Sequence, residues 1–212
     1  MESPVRGGGD LPDVKLIETL GWDGTAFARL PLHLARLAAG VACLGLACDP
    51  QAAARALRAA VGSEPSRVRL TLDGAGRLEV TAAPLPPSPP LWRLTPALAP
   101  LASADPWLRL KSTRRAAYDA ARAALPPWSD EAIFSNERDE VCDGSITTLF
   151  FDAGAGLCTP PVTCGLLPGV LRAQLLLEGK AREAVLAAAD LPRVKLWVGN
   201  SLRGLMPAVW VG

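Results

Sequence analysis

One lysine, one carboxylate and one loop of the sequence could do chemistry together. Lys111, one of four lysines, ends an apolar segment that passes into a predicted helix. Asp143 precedes a bend of small residues and then an apolar strand. The loop at 159–172 narrows through Pro168 and Gly169 into a helix, whose first free amides could bind phosphate. These are the groups that a phosphorylated cofactor with a cationic ring needs, although a single lysine is more often a solvated surface residue.

The composition argues against several other chemistries. The chain has 212 residues with 22 basic and 21 acidic side chains, so it lacks the positive field that nucleic acid or an anionic membrane would require. Its single histidine, His33, lies at a predicted helix start, where packing or hydrogen bonding is the expected role. A Ser/His/Asp triad or a His-rich metal site is therefore not expected, and no metal is predicted. Neither G-x-x-x-x-G-K nor G-x-G-x-x-G occurs.

Three features favour the cytoplasm. Residues 1–15 carry glycines, prolines and charges where an export signal needs an apolar core. The longest apolar stretch, at 38–48, is too short to cross a bilayer. The five cysteines form an odd set without C-x-x-C spacing, which favours free thiols over disulfides.

The elements that must position these residues are read from hydrophobic periodicity and turn signals. The first part predicts a hairpin at 14–20 and 25–30, helices at 32–46 and 51–61, and a second hairpin at 67–72 and 77–81. A proline-rich stretch at 84–90 predicts a linker, and hence domains at 1–86 and 91–212. The second part predicts strands at 91–95, 107–111, 132–135, 146–151, 195–198 and 208–211, with helices at 112–124, 170–178 and 182–188. The pattern is that of an α+β protein.

Seven short motifs follow one another in a specific order. They are E-T-L at 18–20, R-x-x-x-H-x-x-R-L at 29–37, K-x-x-x-R at 111–115, D-E-A at 130–132, D-G-S-x-x-T-L-F at 143–150, T-P-P at 159–161 and L-P-G-x-x-R at 167–172. In this order they resemble the fold type IV pyridoxal-phosphate enzymes, or class IV aminotransferases, which include branched-chain and D-amino-acid aminotransferases and aminodeoxychorismate lyase. The resemblance implies a D-amino-acid aminotransferase-like fold with a small N-terminal α/β domain and a larger C-terminal domain with a barrel-like sheet. It also implies a homodimer.

The resemblance implies a role for each matching residue. Lys111 would bind pyridoxal 5'-phosphate covalently and Asp143 would face its ring nitrogen, where a carboxylate favours the protonated ring. The remaining cofactor-binding residues, mainly around the phosphate, would be Arg29, Val170, Leu171, Asn200 and Ser201.

The segment at 200–207 indicates which reaction to expect. Its N-S-L-R-G-L-M-P sequence is most similar to aminodeoxychorismate lyases, whereas aminotransferases tend toward G-T-A-A-E. The implied activity is elimination of pyruvate from the small molecule 4-amino-4-deoxychorismate to give 4-aminobenzoate, a step of folate biosynthesis. Lys111 would act as the general base and Thr19 would assist the proton transfer. Arg115 and Arg203 would bind the two substrate carboxylates, or else form surface salt bridges.

Two alternatives stay open. The same Lys111 and Asp143 would serve an aminotransferase of branched-chain or D-amino acids. Most family members have glutamate where this chain has Asp143 and asparagine where it has Thr148, so an inactive member that acts as a binding protein is the third hypothesis.

Overall fold

The computed structural model describes residues 14–212, which form two compact units. The first unit runs as far as Pro87 and also includes Leu110–Arg114, and the second consists of Ser88–Arg109 and Arg115–Gly212. Residues 1–13 lie outside the described residues. They include the start of the domain predicted at 1–86 and most of the segment at 1–15 that argued against an export signal. Between residues 14 and 212, no helix is long and apolar enough to span a membrane.

The first unit combines a three-stranded antiparallel sheet with two helices. Its elements are β1 (Leu16–Trp22), α1 (Leu30–Leu44), α2 (Pro50–Ala59), β2 (Ser66–Leu72) and β3 (Leu78–Ala83). The strand order is β1-β2-β3. Leu20 and Val68 face each other across β1 and β2 and are fully buried, as the alternation of apolar residues predicts. Helix α1 approaches β1 where Gly40 meets Leu16, with only 3.0 Å between a Cβ placed on Gly40 and the leucine side chain.

The predicted hairpin at 14–30 is wrong. Strand β1 pairs with β2, and of residues 25–30 only Phe27 makes an isolated bridge to Trp22. The Asp23 side chain accepts hydrogen bonds from the amides of Thr25 and Ala26 at 2.8 Å, which closes a tight turn and leaves too few residues for a second strand before α1.

Residues 110–114 belong to the first unit because they pair with the free edge of β1. The amide of Ile17 donates to the carbonyl of Lys111 at 2.8 Å, and the amide of Thr113 donates to the carbonyl of Lys15 at 2.9 Å. Lys111 thus groups with the first unit, although the sequence-based division placed it within 91–212.

The second unit is built on one eight-stranded sheet. Its strands are β4 (Trp92–Pro96), β5 (Glu131–Ser135), β6 (Val141–Gly144), β7 (Thr148–Asp152), β8 (Cys158–Thr159), β9 (Arg182–Glu183), β10 (Lys195–Asn200) and β11 (Gly204–Trp210), and its helices are α3 (Ala116–Ala123) and α4 (Val170–Leu177). The strand order is β6-β5-β4-β11-β10-β7-β8-β9. The amide of Val141, at the start of the edge strand β6, donates at 2.8 Å to the carbonyl of Leu186, shortly after the other edge strand β9, so the sheet curls toward closure. The predicted α+β class with a barrel-like sheet is confirmed.

The core of the second unit is a cluster of buried apolar side chains that most of its strands contribute. It includes Leu94, Ile133, Leu149 and Val198. The strand predicted at 107–111 does not take part and is wrong, because Pro106–Arg109 forms a 3-10 turn.

The helix predicted at 182–188 is also wrong. The amide of Arg182 donates to the carbonyl of Leu157, and that of Ala184 to the carbonyl of Thr159, so the segment extends the sheet. A 3-10 turn follows at Ala188–Arg193.

Candidate active site

Asp143 is a buried carboxylate on β6. Only 5% of its surface is exposed, and its Oδ2 accepts a hydrogen bond from the amide of Leu167 at 3.3 Å. A buried carboxylate is costly unless donors or a cationic group face it. Asp143 therefore lies where it could serve a cationic ring, beside the loop that leads into α4.

The N-terminus of α4 lies against two strands of the sheet. A Cβ placed on Gly169, the residue before the helix, would lie 2.7 Å from Oγ1 of Thr148 on β7. A Cβ placed on Gly199 of β10 would lie 2.6 Å from a methyl carbon of Leu171. Only glycine fits at both positions, and this brings the first turn of α4 close to both strands.

The first turn of α4 can accept an anion. The amides of Val170 and Leu171 lie in this turn, where an α-helix provides no acceptor of its own. Among the described residues, no side chain caps the helix and its first turn contains no acidic residue. Amides at a helix start and the positive end of the helix dipole together form a phosphate site.

Asn200 and Ser201 form the turn between β10 and β11. The Oδ1 atom of Asn200 accepts from the amides of Leu202 (3.1 Å) and Arg203 (3.0 Å), and its Nδ2 atom donates to the carbonyl of Ile146 at 3.2 Å. Ser201 is buried in this turn. Since Gly199 contacts Leu171, the second unit brings Asn200 and Ser201 to the start of α4.

Arg29, predicted to bind phosphate, lies in the first unit in an uncommon conformation. It precedes α1 with φ 58° and ψ 28°, in the left-handed region that few residues other than glycine adopt. Its carbonyl accepts from the amides of Leu32 and His33, which begins the helix. Backbone strain of this kind concentrates at functional sites.

Lys111 and Thr19 also belong to the first unit, next to a buried polar network. Both side chains are partly exposed. Glu18, on the other face of β1 from Thr19, accepts hydrogen bonds from Nε (2.9 Å) and NH2 (2.7 Å) of Arg36 and lies 2.6 Å from Nδ1 of His33. The expected hydrogen-bonding role of His33 is confirmed, but the sequence did not show that Glu18 would be its partner.

The charges around this network set its protonation. Burial lowers the pKa of His33 below its ordinary value, the hydrogen bond to Glu18 partly offsets this, and the positive charges of Arg36 and Lys111 lower it further. Burial alone would raise the pKa of Glu18, but hydrogen bonds and charge from Arg36 and His33 bring it below its ordinary value. The network is therefore a neutral imidazole beside an ion pair.

The two arginines predicted to bind substrate pack within the second unit. Arg115 donates to Asp119 (2.7 Å) and to the carbonyl of Ser145 (3.0 Å). The guanidinium carbon of Arg203 lies 5.6 Å from the ring centre of Trp92, within the range of a cation–π contact. A role of either arginine in binding substrate stays a prediction.

Tyr118 is a further candidate residue of the site, and the sequence did not point to it. Its hydroxyl oxygen is buried and has no hydrogen-bond partner within residues 14–212, and its ring packs edge-on against Phe134 with ring centres 5.0 Å apart. Burial and then the negative charge of Asp143 raise the pKa of Tyr118 far above its ordinary value. The only signal in the sequence is an aromatic residue in a helix of small and charged residues, one residue before Asp119.

Comparison with known proteins identifies the family of this chain. The sequence model of the amino-transferase class IV family matches residues 15–210. The chain belongs to the class IV aminotransferases. The chain therefore has the fold of this family, with the curled sheet of the second unit, and the family match makes it an enzyme.

Three solved structures illustrate the similarity. A candidate amino-acid aminotransferase from Mesorhizobium loti is 46% identical, with a TM-score of 0.89 and coverage of 94% of this chain and 100% of that one. The 4-amino-4-deoxychorismate lyase from Pseudomonas aeruginosa is 23% identical, with a TM-score of 0.79 and coverage of 92% and 82%. The T.th. branched-chain amino acid aminotransferase, complexed with N-(5'-phosphopyridoxyl)-L-glutamate, is 16% identical, with a TM-score of 0.80 and coverage of 93% and 76%. Among curated protein sequences, none matches this chain.

Class IV aminotransferases depend on pyridoxal 5'-phosphate, and the residues of the second unit fit such a group. Asp143 offers a buried carboxylate to a ring nitrogen, and the first amides of α4 offer donors to a phosphate. Tyr118 holds a buried hydroxyl that a ligand oxygen would satisfy, since buried polar groups rarely stay without a hydrogen bond.

Proposed function

We propose that the chain is a pyridoxal-phosphate-dependent 4-amino-4-deoxychorismate lyase, which releases pyruvate and 4-aminobenzoate. The observation that carries this proposal is the turn after β10. Asn200 closes the turn with its own side chain, and the turn ends on Gly204 at φ 74°, a conformation that side-chain-bearing residues rarely adopt. With its glycine at Gly199, the aminotransferase pattern G-T-A-A-E has threonine where this chain has Asn200. The hydrogen bonds that the Asn200 side chain makes to both sides of the turn therefore favour the lyase-like sequence.

The proposed roles follow from the chemistry of each residue. When bound, pyridoxal 5'-phosphate supplies an electron sink for the pair left behind when the substrate loses a proton. The Lys111 amine removes that proton from the carbon that bears the substrate amine, and the hydroxyl of Thr19 assists. The carboxylate of Asp143 keeps the ring nitrogen protonated.

The bonds balance without a second substrate. The carbon that bears the amine loses its proton, the C–O bond to the enolpyruvyl group breaks, and the ring becomes aromatic. The released group takes up a proton and leaves as pyruvate. Arg29, Ser201 and the amides of Val170 and Leu171 bind the phosphate, while Arg115 and Arg203 bind the substrate carboxylates.

A second candidate is an amino-acid aminotransferase that uses the same Lys111 and Asp143. It is favoured by the relative from Mesorhizobium loti, a candidate amino-acid aminotransferase that is 46% identical over nearly the whole chain. A transaminase needs a 2-oxo acid to accept the amino group, whereas the lyase needs no acceptor. The two reactions therefore differ in their requirement for a second substrate.

The deciding experiment incubates the purified holoenzyme with aminodeoxychorismate and no oxo acid, and follows the fluorescence of 4-aminobenzoate. The lyase proposal expects turnover that Lys111→Ala abolishes. Turnover only when an amino acid and a 2-oxo acid are both supplied supports the transaminase.

The hypothesis of an inactive binding protein is tested by absorbance. A visible band that pyridoxal 5'-phosphate restores and Lys111→Ala removes supports an enzyme. A protein that stays colourless with added cofactor supports the binding protein.

We further propose, from the family resemblance, that the protein is a cytoplasmic homodimer with a small-molecule substrate and without a nucleic-acid or membrane partner. Light scattering of the purified protein measures its mass in solution. A mass of one chain, at concentrations where the enzyme is active, would contradict the dimer.

A further inference from the structure

Glu131 is a fully buried carboxylate that binds three consecutive residues of one turn. It lies at the start of β5 and is 0% exposed. Its Oε1 atom accepts from the amide of Ser145 at 3.0 Å and from the hydroxyl of the same residue. Its Oε2 atom accepts from the amide of Ile146 (3.2 Å) and from the hydroxyl of Thr147 (2.7 Å). The carboxylate is therefore committed to this turn and is not available to a substrate.

The turn at 144–147 is tight enough to require glycine at its first position. A Cβ placed on Gly144 would lie 2.5 Å from Oγ1 of Thr147 and 3.0 Å from Oε2 of Glu131. The amide of Gly144 also donates to the carbonyl of Thr147 at 2.8 Å. The glycine thus leaves room for the carboxylate to reach the turn.

Two arginines of the α3 region reinforce the same turn. Arg122 donates to Oγ of Ser145 at 3.1 Å and lies 3.4 Å from Oε1 of Glu131, and Arg115 donates to the carbonyl of Ser145. A buried carboxylate is tolerated when a cation and several donors surround it, as they do here. Asn200 joins the turn to the β10–β11 connection through the carbonyl of Ile146.

Strand pairing by itself leaves the position of Asp143 weakly determined. Strand β6 has four residues, and its pairing with β5 shifts register between Ile133 and Ser135. A bulge of this kind breaks the regular ladder that would otherwise set the depth of each side chain. The bonds from Glu131 fall immediately after this irregularity and, together with the bond from the amide of Ser145 to the carbonyl of Ala132 (3.1 Å), they hold the end of β6.

We propose that Glu131 is a positioning residue of the cofactor site, acting through the turn at 144–147. It sets the place of the Asp143 carboxylate on one side and of the Asn200 turn on the other. The inference rests on the proposed function in one respect, namely that Asp143 faces the cofactor ring. The observation behind it, the hydrogen bonds from the turn to Glu131, does not depend on any cofactor.

The test is Glu131→Gln, which keeps size but replaces one acceptor oxygen by an NH2 group that faces other donors. Hydrogen exchange of the cofactor-free protein should show faster exchange of the Ile146 amide, whose acceptor is Oε2 of Glu131. Equilibrium dialysis of the reconstituted protein should show a Kd for pyridoxal 5'-phosphate that is raised about tenfold or more, because the ring partner is displaced.

The matched control is Asp130→Asn at the preceding residue. Asp130 accepts hydrogen bonds from the amide (2.9 Å), Nε (3.0 Å) and NH2 (3.3 Å) of Arg93, but it does not touch the turn. This variant loses comparable bonds, so its melting temperature falls, but its cofactor affinity and the exchange of the Ile146 amide should match the wild type.

A milder variant protects the test against misfolding. Thr147→Val removes one donor to Oε2 and leaves Glu131 in place, so it should show a smaller rise in Kd. The inference is overturned if Glu131→Gln binds the cofactor and exchanges its amides as the wild type does. If Glu131→Gln does not fold, a wild-type Kd for the cofactor in Thr147→Val overturns it. If the wild-type protein itself binds no cofactor, the proposed function fails, and the exchange measurement still decides whether Glu131 holds the turn.

Discussion

Lowering the pH from about 7.5 to about 5.5 should destabilise the first unit, because the only histidine of the chain is buried there as a neutral side chain. His33 lies against Glu18, with Arg36 and Lys111 as the nearby positive charges. Protonation would place a charge in a buried site near these two cations, and burial opposes that charge more than Glu18 favours it. The folded protein therefore takes up this proton at a lower pH than the unfolded chain does.

The magnitude follows from proton linkage. The unfolded histidine binds its proton near pH 6.5, and the pKa of the folded one is lowered by burial. Between those two values the unfolded state holds more protons, so the free energy of unfolding falls by at most about 1.4 kcal/mol for each unit that the pH falls. Above pH 6.5 this contribution is fully present. The lowered pKa of Glu18 acts only below its ordinary value of 4.5, outside this window.

Equilibrium urea unfolding of the cofactor-free protein at several pH values measures this dependence. The matched variant is His33→Asn, whose side-chain NH2 can donate to Glu18 as Nδ1–H does but cannot titrate. Its free energy of unfolding should be nearly constant where that of the wild type declines. Equal slopes for the two proteins would refute the reasoning, because the proton would then be bound elsewhere.

Two further predictions concern the second unit. Gly199→Ala places a methyl group 2.6 Å from Leu171, so it should cost about 1–3 kcal/mol of stability and weaken cofactor binding. Thermal unfolding and equilibrium dialysis measure the two effects. The control is Gly62→Ala, whose added methyl group lies in open space and should leave both quantities at the wild-type value. Asp143→Asn should weaken cofactor binding and, at saturating cofactor, lower kcat about tenfold or more, since the ring nitrogen loses its charged partner. Asp143→Glu should retain activity, and equal kcat for the Asn variant and the wild type would contradict the role of the carboxylate.

Elements whose signals are local could be predicted from the sequence. The hairpin of β2 and β3 forms around Asp73, whose side chain accepts from the amides of Ala75 and Arg77, and this turn signal is complete within five residues. Helices α1, α2 and α4 also lie within a few residues of their predicted bounds, since periodicity and the proline or glycine at their starts act over one or two turns.

Elements that depend on a distant partner could not be predicted in the same way. The alanine-rich segment at 182–188 has the composition of a helix, but the carbonyls of Leu157 and Thr159 accept from its amides and hold it extended. The segment at 25–30 has the composition of a strand, but only Phe27 and Ala28 pair with β1 before α1 begins at Leu30. In the first case long-range pairing overrides local propensity, and in the second the start of the helix ends the strand.

The sequence by itself determined the family, because the order of short motifs can be recognised without knowing how the chain packs. It also determined which reactive residues are available, among them Lys111, Asp143 and the glycine before α4. Only the tertiary structure decided which polar side chains are buried and what they bind. Glu18 meets Arg36 across 18 residues, and Glu131 meets Ser145 across 14. Whether a carboxylate is protonated, and which backbone amides it binds, depends on its exclusion from solvent and on donors that are distant in the sequence. Neither can be read from the residues next to it in the chain.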